Sequence, residues 1–394
     1  MKYIQISEQD KIFCTGCAAC ANICPKQCIS FAEDAEGFCY PKVEESLCVE
    51  CGRCTAVCPV SKEKPEDRST NGVKVYACIN RDEKVLKESS SGGVFSLLAD
   101  AIIEKGGVVF GAAFDENWNV RHMAAQTKED CLKFRGSKYV QSEIGDSFFQ
   151  AKAFLDQGRP VLFSGAPCQI AGLNSFLGKK YPNLTTCDFI CTGIPNPKAF
   201  RAYRDYFAQR FQEPLTGISF RDKKYGWDAF SMVFRGKSKE YRKIRFFDPY
   251  INAFYSHIFL RPACYHCQFK KCNSESDIKL ADYWYVNRVH PELPWRNGVS
   301  LVLVEGAKGQ ALFDKIASKM KVAESKLENV YQTNASFATV VKEPPARKEF
   351  LKVVCHTDSA RNIVRALKSL PKPSLKDRII TRLRFLKHQM LAGK

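Results

Sequence analysis

The chain has 394 residues, of which 45% are hydrophobic, and a formal net charge of +18 at pH 7. This length allows two or three domains with substantial cores, so the 19 cysteines are not needed as disulfide staples of a small secreted fold. The first ten residues lack the apolar segment of a secretory signal, and no uninterrupted apolar run approaches the roughly 18 residues of a membrane span. The composition therefore predicts a cytoplasmic protein whose clustered cysteines bind metal or carry out redox chemistry.

The pattern C-x2-C-x2-C-x3-C-P occurs twice near the amino terminus, at residues 14–25 and, 34 residues later, at residues 48–59. Three closely spaced thiolates surround one cubane 4Fe-4S cluster, and the cysteine before the proline reaches the other cluster. The spacing therefore predicts one cluster on Cys14, Cys17, Cys20 and Cys58, and a second on Cys48, Cys51, Cys54 and Cys24. Structural zinc is the alternative, although zinc sites usually use paired C-x2-C units instead of three cysteines in series. Residues 1–62 thus resemble a bacterial two-cluster ferredoxin.

A polar segment at residues 63–72 is expected to link this module to a larger body. Beyond it, strand-like apolar runs alternate with helical patterns. The predicted strands are 108–114, 161–163 and 184–190, and the predicted helices are 94–104, 144–156 and 168–177. Such alternation indicates at least partly parallel strands. The expected fold is an α+β ferredoxin-like two-cluster module followed by an α/β body.

Two predicted turns that lead into helices are candidate cofactor sites. The stretch S-S-S-G-G at residues 89–93 precedes a helix, where free N–H groups and serine hydroxyls suit a phosphate. A simple helix cap with a flexible lead-in is the alternative. The stretch F-S-G-A-P-C-Q at residues 163–169 follows a strand, so Ser164, Gly165, Cys168 and Gln169 could contact a cofactor. Cys168 could also be an activated thiolate or an ordinary buried cysteine.

A third group of cysteines lies in the stretch C-Y-H-C-Q-F-K-K-C, which supplies Cys264, Cys267 and Cys272. These three are one ligand short of a complete site. Cys191 is the expected fourth ligand because it follows a predicted strand and has no other evident partner. A third iron–sulfur cluster is the main prediction. A zinc site completed by His266 is the alternative, although this side chain would tend to point away from its flanking cysteines.

Five motifs occur in an order that resembles the beta subunit of coenzyme F420 hydrogenase and dehydrogenase: S-S-S-G-G-V-F-S, G-A-P-C-Q-I-A-G-L, C-T-G-I-P, F-R-D-K-K-Y-G-W and C-Y-H-C-Q-F-K-K-C. The resemblance runs from residue 1 to about residue 320. It implies a bound FAD beside an iron–sulfur cluster, with electrons passing between one-electron carriers and a hydride-accepting deazaflavin. Related members reduce other substrates. The implied FAD contacts are Ser91, Gly92, Gly93, Ser164, Gly165, Pro167, Cys168 and Gln169.

The sequence departs from the family pattern inside these motifs. Family members commonly have Ser or Thr at position 166, His at 192, Ser at 196 and G-D-F-W-G at 281–285, where this chain has Ala166, Thr192, Asn196 and A-D-Y-W-Y. The electron-transfer scaffold is therefore expected to be retained, while the substrate remains either F420 or another small molecule. Arg221, Asp222 and Lys223 are candidates for the substrate-side rim, and no residue is indicated as the proton donor.

Two function classes remain open for a body predicted to span residues 73–340. The first is a complete flavin- and iron–sulfur-dependent oxidoreductase. The second is a non-catalytic electron relay subunit of a hydrogenase, formate dehydrogenase or similar complex. A chain that combines clusters with a flavin suits both, because clusters move single electrons and a flavin handles pairs.

The charge distribution adds a prediction about partners. Residues 1–65 carry a net charge of −2 and the rest of the chain carries +20. The basic body favours a redox partner protein such as an acidic ferredoxin or a catalytic subunit, an acidic or nucleotide-bearing substrate, or an anionic membrane surface. Nucleic acid is disfavoured because no recognised binding motif accompanies the charge.

The carboxyl-terminal segment, residues 341–394, is predicted to be a basic helical tail. Its later part repeats apolar residues at helical spacing: Leu375, Ile379, Leu383, Leu386 and Met390. This pattern fits a helix that lies on the inner face of a membrane, a docking helix for a partner, or an ordinary terminal helix packed on the body.

Overall fold

A computed structural model describes residues 3–60 and 66–370 of the chain. The amino-terminal module contains a two-stranded antiparallel sheet and two short helices: β1 (Ile29–Glu33), β2 (Cys39–Val43), α1 (Ala19–Ile23) and α2 (Arg53–Ala56). The residue before each helix is left-handed, with φ of 62° at Ala18 and 70° at Gly52. These positions are separated by the 34-residue offset of the cysteine repeat. The two halves of the repeat therefore share a backbone conformation as well as a sequence pattern.

The body is built on an eight-stranded mixed sheet. Its strands, in spatial order, are β13 (Met320–Ser325), β3 (Lys74–Asn80), β12 (Ser300–Val304), β11 (Ile278–Asp282), β7 (Leu184–Phe189), β6 (Val161–Ser164), β4 (Val108–Phe114) and β5 (Val120–Ala125). The neighbours β4, β6, β7 and β11 are parallel, and the outer strands pair antiparallel. The three strands predicted from the sequence are β4, β6 and β7. The expectation of a partly parallel sheet is confirmed.

The helices of the first half of the body are α3 (Glu83–Glu88), α4 (Val94–Ile103), α5 (Lys128–Cys131), α6 (Ser147–Asp156), α7 (Pro167–Leu177) and α8 (Pro197–Phe211). The later helices are α9 (Pro249–Tyr255), α10 (Val286–Val289), α11 (Gly306–Ala317), α12 (Leu327–Thr333), α13 (Ala346–Val354) and α14 (Ala360–Ser369). Between α8 and α9 lies an antiparallel three-stranded sheet of β8 (Gly217–Asp222), β9 (Ser231–Arg235) and β10 (Glu240–Ile244). The predicted helices correspond to α4, α6 and α7, with ends that differ by at most three residues.

The module and the body share one hydrophobic core. Ile29 and Val57 of the module belong to the same buried cluster as Phe110 of β4 and Leu173 of α7. Helix α7 approaches the module closely at Gly172, where an added Cβ would lie 2.9 Å from the Cβ of Cys17. The module is therefore an integral part of the fold and not a loosely tethered domain.

The segments on both sides of the body are more closely attached than their sequences indicate. In the predicted linker, the Arg68 N–H donates to Asn273 Oδ1 at 3.0 Å, and Lys271 Nζ donates to Asp67 at 2.8 Å. At the other end, Phe350 of α13 and Leu367 of α14 lie in the main hydrophobic core of the body.

The body therefore extends through residue 370, beyond the boundary predicted at residue 340. The periodic apolar positions of the predicted tail, from Leu375 to Met390, lie outside the described residues. Within the described ranges, no helix is both long enough and apolar enough to cross a membrane.

Candidate functional site

The first cysteine pocket lies in the amino-terminal module. Four cysteines, Cys14, Cys17, Cys20 and Cys58, line a cavity of about 230 Å³. Cys58 comes from the second motif and joins three cysteines of the first, which is the crossed arrangement expected from the sequence. Burial raises the pKa of the Cys17 thiol to about 12, so a metal-free thiol is neutral at pH 7 and must release its proton to bind iron.

The second cysteine pocket is related to the first by the repeat. Its lining contains the four predicted ligands Cys24, Cys48, Cys51 and Cys54. Cys28 lines the same pocket, and its Sγ lies 3.4 Å from the Sγ of Cys24. Cys51 is exposed, and the apolar side chains of Leu47 and Val49 nearby in sequence are 57% and 54% exposed. The second pocket therefore lies near the protein surface.

The third cysteine pocket is assembled by the body from distant segments. Cys168 at the start of α7, Cys191 after β7, and Cys264 and Cys267 all line it. Backbone N–H groups point at two of the sulfurs: Ile194 donates to Cys264 Sγ at 3.1 Å and Phe269 donates to Cys267 Sγ at 3.4 Å. Four thiols around one pocket are the ligand set of a cubane cluster, and N–H donors to sulfur are one of the features that set its reduction potential.

The structure places one of the four ligands predicted for this pocket outside it. Cys272 lies outside it, buried in a separate hydrophobic core with Tyr283 and Leu301, and its thiol interacts with Glu305. Cys168, expected from the sequence to contact a flavin, takes its place. Burial raises the pKa of Cys168, and the neighbouring thiols of Cys191, Cys264, Cys267 and Cys17 raise it further.

Across residues 3–60 and 66–370, no group of three or more His, Cys, Asp or Glu side chains is arranged to hold one metal ion. The thiols instead surround a pocket, as they would around a multi-iron cluster. His266 does not line the third pocket, so the proposed zinc alternative lacks its nitrogen ligand.

Two buried basic side chains provide a further test of what the third pocket could hold. Arg261 is fully buried and donates to the carbonyl oxygens of Cys14 at 2.7 Å and Cys39 at 3.0 Å. Lys270 is buried and donates to the carbonyl oxygens of Cys191 at 2.7 Å and Ser336 at 3.0 Å.

In the described part of the chain, neither Arg261 nor Lys270 forms an ion pair with a carboxylate. Buried positive charges without counter-ions are costly, so an anionic group nearby is expected. A cluster held by four thiolates would supply that negative charge.

A cavity of about 520 Å³ lies beside the third pocket. It forms at the carboxyl ends of the parallel strands, where Ser164 of β6, Asp188 of β7 and Asp282 of β11 line it. Flat aromatic walls come from Trp284 and from Tyr139, whose ring stacks on Phe254 at a centroid distance of 4.7 Å. Position, size and aromatic walls suit an organic cofactor.

The predicted flavin contacts divide between two groups. Ser91, Gly93, Ser164, Gly165 and Gln169 line this cavity, whereas Gly92, Pro167 and Cys168 do not. Pro167 and Cys168 line the third cysteine pocket instead.

Two of these residues, Gly92 and Gln169, also have a structural role. Gly92 is required by packing, because a Cβ there would lie 2.2 Å from the carbonyl oxygen of Cys78. Gln169 holds the turn together through its side chain, which accepts from the Ala166 N–H at 2.9 Å and donates to Ser142.

The end of the cavity near α4 is suited to anionic groups. Gly93 caps this helix with φ of 79° and no side-chain hydrogen bond, so the first N–H groups of a ten-residue helix remain available. Arg135 and Lys138 also line the cavity. Lys138 Nζ donates to the Lys133 and Phe134 carbonyl oxygens, and burial lowers its pKa to about 7.

His122 is a cavity residue that the sequence did not indicate. Its Nε2 lies 2.9 Å from the Ser164 carbonyl oxygen and therefore donates, while its buried Nδ1 has no hydrogen-bond partner among the described residues. Burial lowers the pKa of His122 to about 4, so the ring is neutral at pH 7 and offers Nδ1 as a hydrogen-bond acceptor. The signal was weak because His122 is a single polar residue in strand β5.

The three residues suggested by the sequence for the substrate-side rim do not all lie at the cavity. Arg221 lines the cavity and pairs with Asp282, to which Nη2 donates at 3.1 Å. Asp222 instead pairs with Arg235 and Arg242, and Lys223 donates to backbone carbonyls that include Ser91. Of the three, only Arg221 lines the cavity.

The pockets follow one another through shared walls. Thr15 lines both the first and the third cysteine pockets. Residues 189–194, which include Cys191, line both the third pocket and the large cavity. Among the described residues, the second pocket shares no lining residue with the first, but each motif supplies one cysteine, Cys24 or Cys58, to the other motif's pocket. The first pocket, the third pocket and the cavity thus form a series with shared walls.

Comparisons with known proteins identify the family. Two family models describe the beta subunit of coenzyme F420 hydrogenase/dehydrogenase. The model of its amino-terminal part matches residues 75–147, and the model of its carboxyl-terminal part matches residues 158–330. A model for a 4Fe-4S dicluster domain matches residues 13–62.

Three curated relatives represent both parts of the chain. The F subunit of the F(420)H(2) dehydrogenase of Methanosarcina mazei is 27% identical over 40% of this chain and 46% of its own length. The coenzyme F420-dependent sulfite reductase of Methanocaldococcus jannaschii is 30% identical over 42% of this chain and 25% of its own length. A 7Fe ferredoxin of Hydrogenibacillus schlegelii is 38% identical over 16% of this chain and 77% of its own length.

The chain thus spans less than half of the two larger relatives. The two beta subunit models together cover most of the body, in the order of the sequence motifs, and the dicluster model covers the module. The chain belongs to the family of coenzyme F420 hydrogenase/dehydrogenase beta subunits and carries a 4Fe-4S dicluster domain in front of the family's body.

Proposed function

We propose that this protein is an iron–sulfur flavoprotein oxidoreductase that passes electrons between two ferredoxin-type 4Fe-4S clusters and an FAD, by way of a third 4Fe-4S cluster. The observation that carries this proposal is the shared wall at Cys191, which lines both the third cysteine pocket and the 520 Å³ cavity. An electron carrier in the pocket would therefore be adjacent to a cofactor in the cavity.

The proposed route uses the pockets in their spatial order. The second cluster would be the entry point, the first would follow through the crossed cysteines, and the third would follow across the wall that contains Thr15. The close approach of Gly172 to Cys17 supports this route, because it brings α7, whose first turn carries Cys168, against the first pocket.

The chain's own residues are suited to binding and orienting a flavin. The N–H groups at the start of α4, with Arg135 and Lys138, would hold an anionic diphosphate, and the aromatic walls would enclose a flat ring. Bound clusters would supply single electrons, and a bound flavin would convert them to two-electron chemistry. His122 would present a hydrogen-bond acceptor at the end of β6.

The substrate is proposed only as coenzyme F420 or another small molecule that exchanges hydride. Support for a changed substrate comes from positions where the sequence departs from its family. Ala166, Thr192 and Ala281 all line the cavity, so these differences alter its surface directly.

The decisive experiment is anaerobic reconstitution with iron, sulfide and FAD, followed by stopped-flow measurement of flavin bleaching with a low-potential one-electron donor. Wild type should reduce its flavin rapidly, and Cys264→Ala should do so slowly because the third cluster is lost. Cys272→Ala is the matched control and should behave like wild type. Absence of flavin binding, or equal rates in wild type and Cys264→Ala, would contradict the proposal.

A relay subunit is the second candidate function. It is favoured by the exposed apolar side chains of Leu47 and Val49 near the exposed Cys51, which would suit contact with a redox partner protein. Anaerobic purification from the source cells distinguishes the candidates: a relay should co-purify with a catalytic oxidoreductase subunit, whereas a complete reductase should turn over its substrate alone.

The basic charge supports a further, separable proposal of an acidic partner or an anionic membrane surface. Deleting residues 372–394 tests the role of the predicted tail. Binding to anionic lipid vesicles should fall in the truncated protein if that segment attaches the protein to the inner face of a membrane. Unchanged binding would remove the membrane from the proposed partners.

A further inference from the structure

The third cysteine pocket differs from the first in the charge of its walls. Four basic side chains line the third pocket, namely Arg261, Lys270, Lys271 and Lys279, and no Asp or Glu among the described residues does so. Within the described part of the chain, the lining of the first pocket contains Asp10 and no Lys or Arg. Both pockets hold four cysteines, so their difference in electrostatic potential comes from these surrounding residues.

Two of the four basic residues are neutralised by neighbouring carboxylates. Lys279 Nζ lies 2.6 Å from Asp188 Oδ1, and Lys271 Nζ lies 2.8 Å from Asp67 Oδ2. Arg261 and Lys270 donate only to carbonyl, amide and sulfur acceptors in the described structure. The unneutralised positive charge at the third pocket is therefore contributed by these two residues.

A positive charge in a water-excluded wall favours the reduced form of a cluster, because reduction adds one negative charge. Backbone donors to sulfur have the same effect, but they occur at more than one pocket. Ala19 donates to Cys17 in the first pocket, just as Ile194 donates to Cys264 in the third. Such N–H donors therefore do not distinguish the two sites, whereas the buried charge of Lys270 does.

We infer that Lys270 raises the reduction potential of the third cluster above that of the first, so that electrons move from the module into the body and collect beside the cavity. This inference rests on the proposed third cluster. Lys270 acts on the third cluster alone. Arg261 acts on both, since it lines the third pocket while its guanidinium lies 3.7 Å from Cys14 Sγ in the first.

The test is a redox titration of the reconstituted wild type and variants, followed by low-temperature EPR spectroscopy. The signal of the third cluster is identified as the one that Cys264→Ala lacks. Lys270→Met should lower the equilibrium constant for reducing the third cluster at least tenfold, which is about 59 mV for one electron. The other two clusters should not shift.

Further variants separate charge from structure. Lys270→Arg retains the charge and should change the equilibrium constant for reducing the third cluster by less than twofold. Lys271→Met removes a neighbouring, carboxylate-paired charge and should also shift it less than twofold. Arg261→Met should lower the equilibrium constants of the first and third clusters together. Lys270→Gln replaces Lys270→Met if the latter loses its cluster.

The outcomes distinguish this inference from the proposed function. Three clusters with an unshifted third potential in Lys270→Met and Lys270→Gln would overturn the inference and leave the proposed route intact. A third cluster with a lower potential than the first in wild type would also overturn it. About eight irons per chain in wild type would overturn both, because two cubane clusters would account for them.

Discussion

The module and the body each build pockets lined by at least four cysteines, but they do so in different ways. In the module, two runs of eleven residues supply all eight cysteines, and the chain spacing alone assigns each to its pocket. In the body, Cys168, Cys191, Cys264 and Cys267 come from three distant segments that meet only in the folded structure. Local spacing therefore encodes the first kind of site, whereas sheet topology assembles the second.

The largest expected effect tests the assembled pocket directly. Cys168→Ala should remove the third cluster and lower the iron content from about twelve to about eight per chain, because a cubane cluster needs all four thiolates. Cys272→Ala should leave the iron content unchanged. Anaerobic iron and acid-sulfide analysis measures both, and the reverse pattern would return Cys272 to the ligand set.

A second variant breaks the contact between the two kinds of site. Gly172→Ala would introduce a Cβ 3.0 Å from Cys17 Sγ, and we expect the free energy of unfolding to fall by about 1–3 kcal/mol. Chemical denaturation of the reconstituted protein measures the change. Gly178→Ala is a control at the end of the same helix, where nothing lies within 4 Å of the new Cβ but φ is 63°.

Gly178→Ala should therefore cost only the backbone strain of a left-handed alanine, about 1 kcal/mol, and should leave the clusters unaffected. Gly172→Ala should in addition slow electron transfer from the module to the flavin. Equal transfer rates in the two variants would contradict a route across this contact.

His122 tests the part of the site that carries no sequence signature. Its folded-state pKa is about 4 against 6.5 for an exposed histidine, so only the unfolded chain takes up this proton between those values. Stability should therefore fall by about 2 kcal/mol more between pH 7 and pH 5 in wild type than in His122→Gln. Parallel urea unfolding curves at the two pH values measure the difference, and identical pH dependence would show that His122 is not buried in its neutral form.

The smallest effect concerns the two halves of the module. Gly52 occupies a left-handed position with nothing within 4 Å of its hypothetical Cβ, so Gly52→Ala should cost about 1 kcal/mol through backbone strain alone. The equivalent residue, Ala18, already bears that strain, and Ala18→Gly should be neutral or slightly stabilising. The denaturation midpoint should fall in Gly52→Ala and should stay unchanged or rise slightly in Ala18→Gly.

Sequence reasoning succeeded where the determinant was local. The repeated cysteine spacing and the strand at residues 108–114 needed no knowledge of the tertiary fold. The ligands of the third pocket could not be assigned without the tertiary fold, because Cys272 follows Cys267 at a spacing typical of a ligand. Lys271, with φ of 54°, redirects the chain just before Cys272, whose side chain lies in another core. Nothing in the sequence indicates that Lys271 adopts a left-handed backbone conformation.

The sequence predicts helical structure after residue 340 but leaves open whether it packs on the body, a partner or a membrane. In the structure, Phe350 and Leu367 are buried in the core of the body. Amphipathic helices with basic outer faces look alike in sequence whether they cover a protein, a partner or a membrane. Only the packing partner distinguishes them.

The pairing of Arg347 with Glu36 has a consequence for biosynthesis. Arg347 in α13 is buried, donates to the Ile258 carbonyl oxygen at 3.3 Å and forms an ion pair with Glu36 in the module. Ribosomal synthesis releases the module's cysteines long before residue 347 leaves the exit tunnel. During that interval the module lacks the neighbours that α13 supplies in the folded structure. The contact between Glu36 and Arg347 therefore forms only after nearly the whole body has been synthesised.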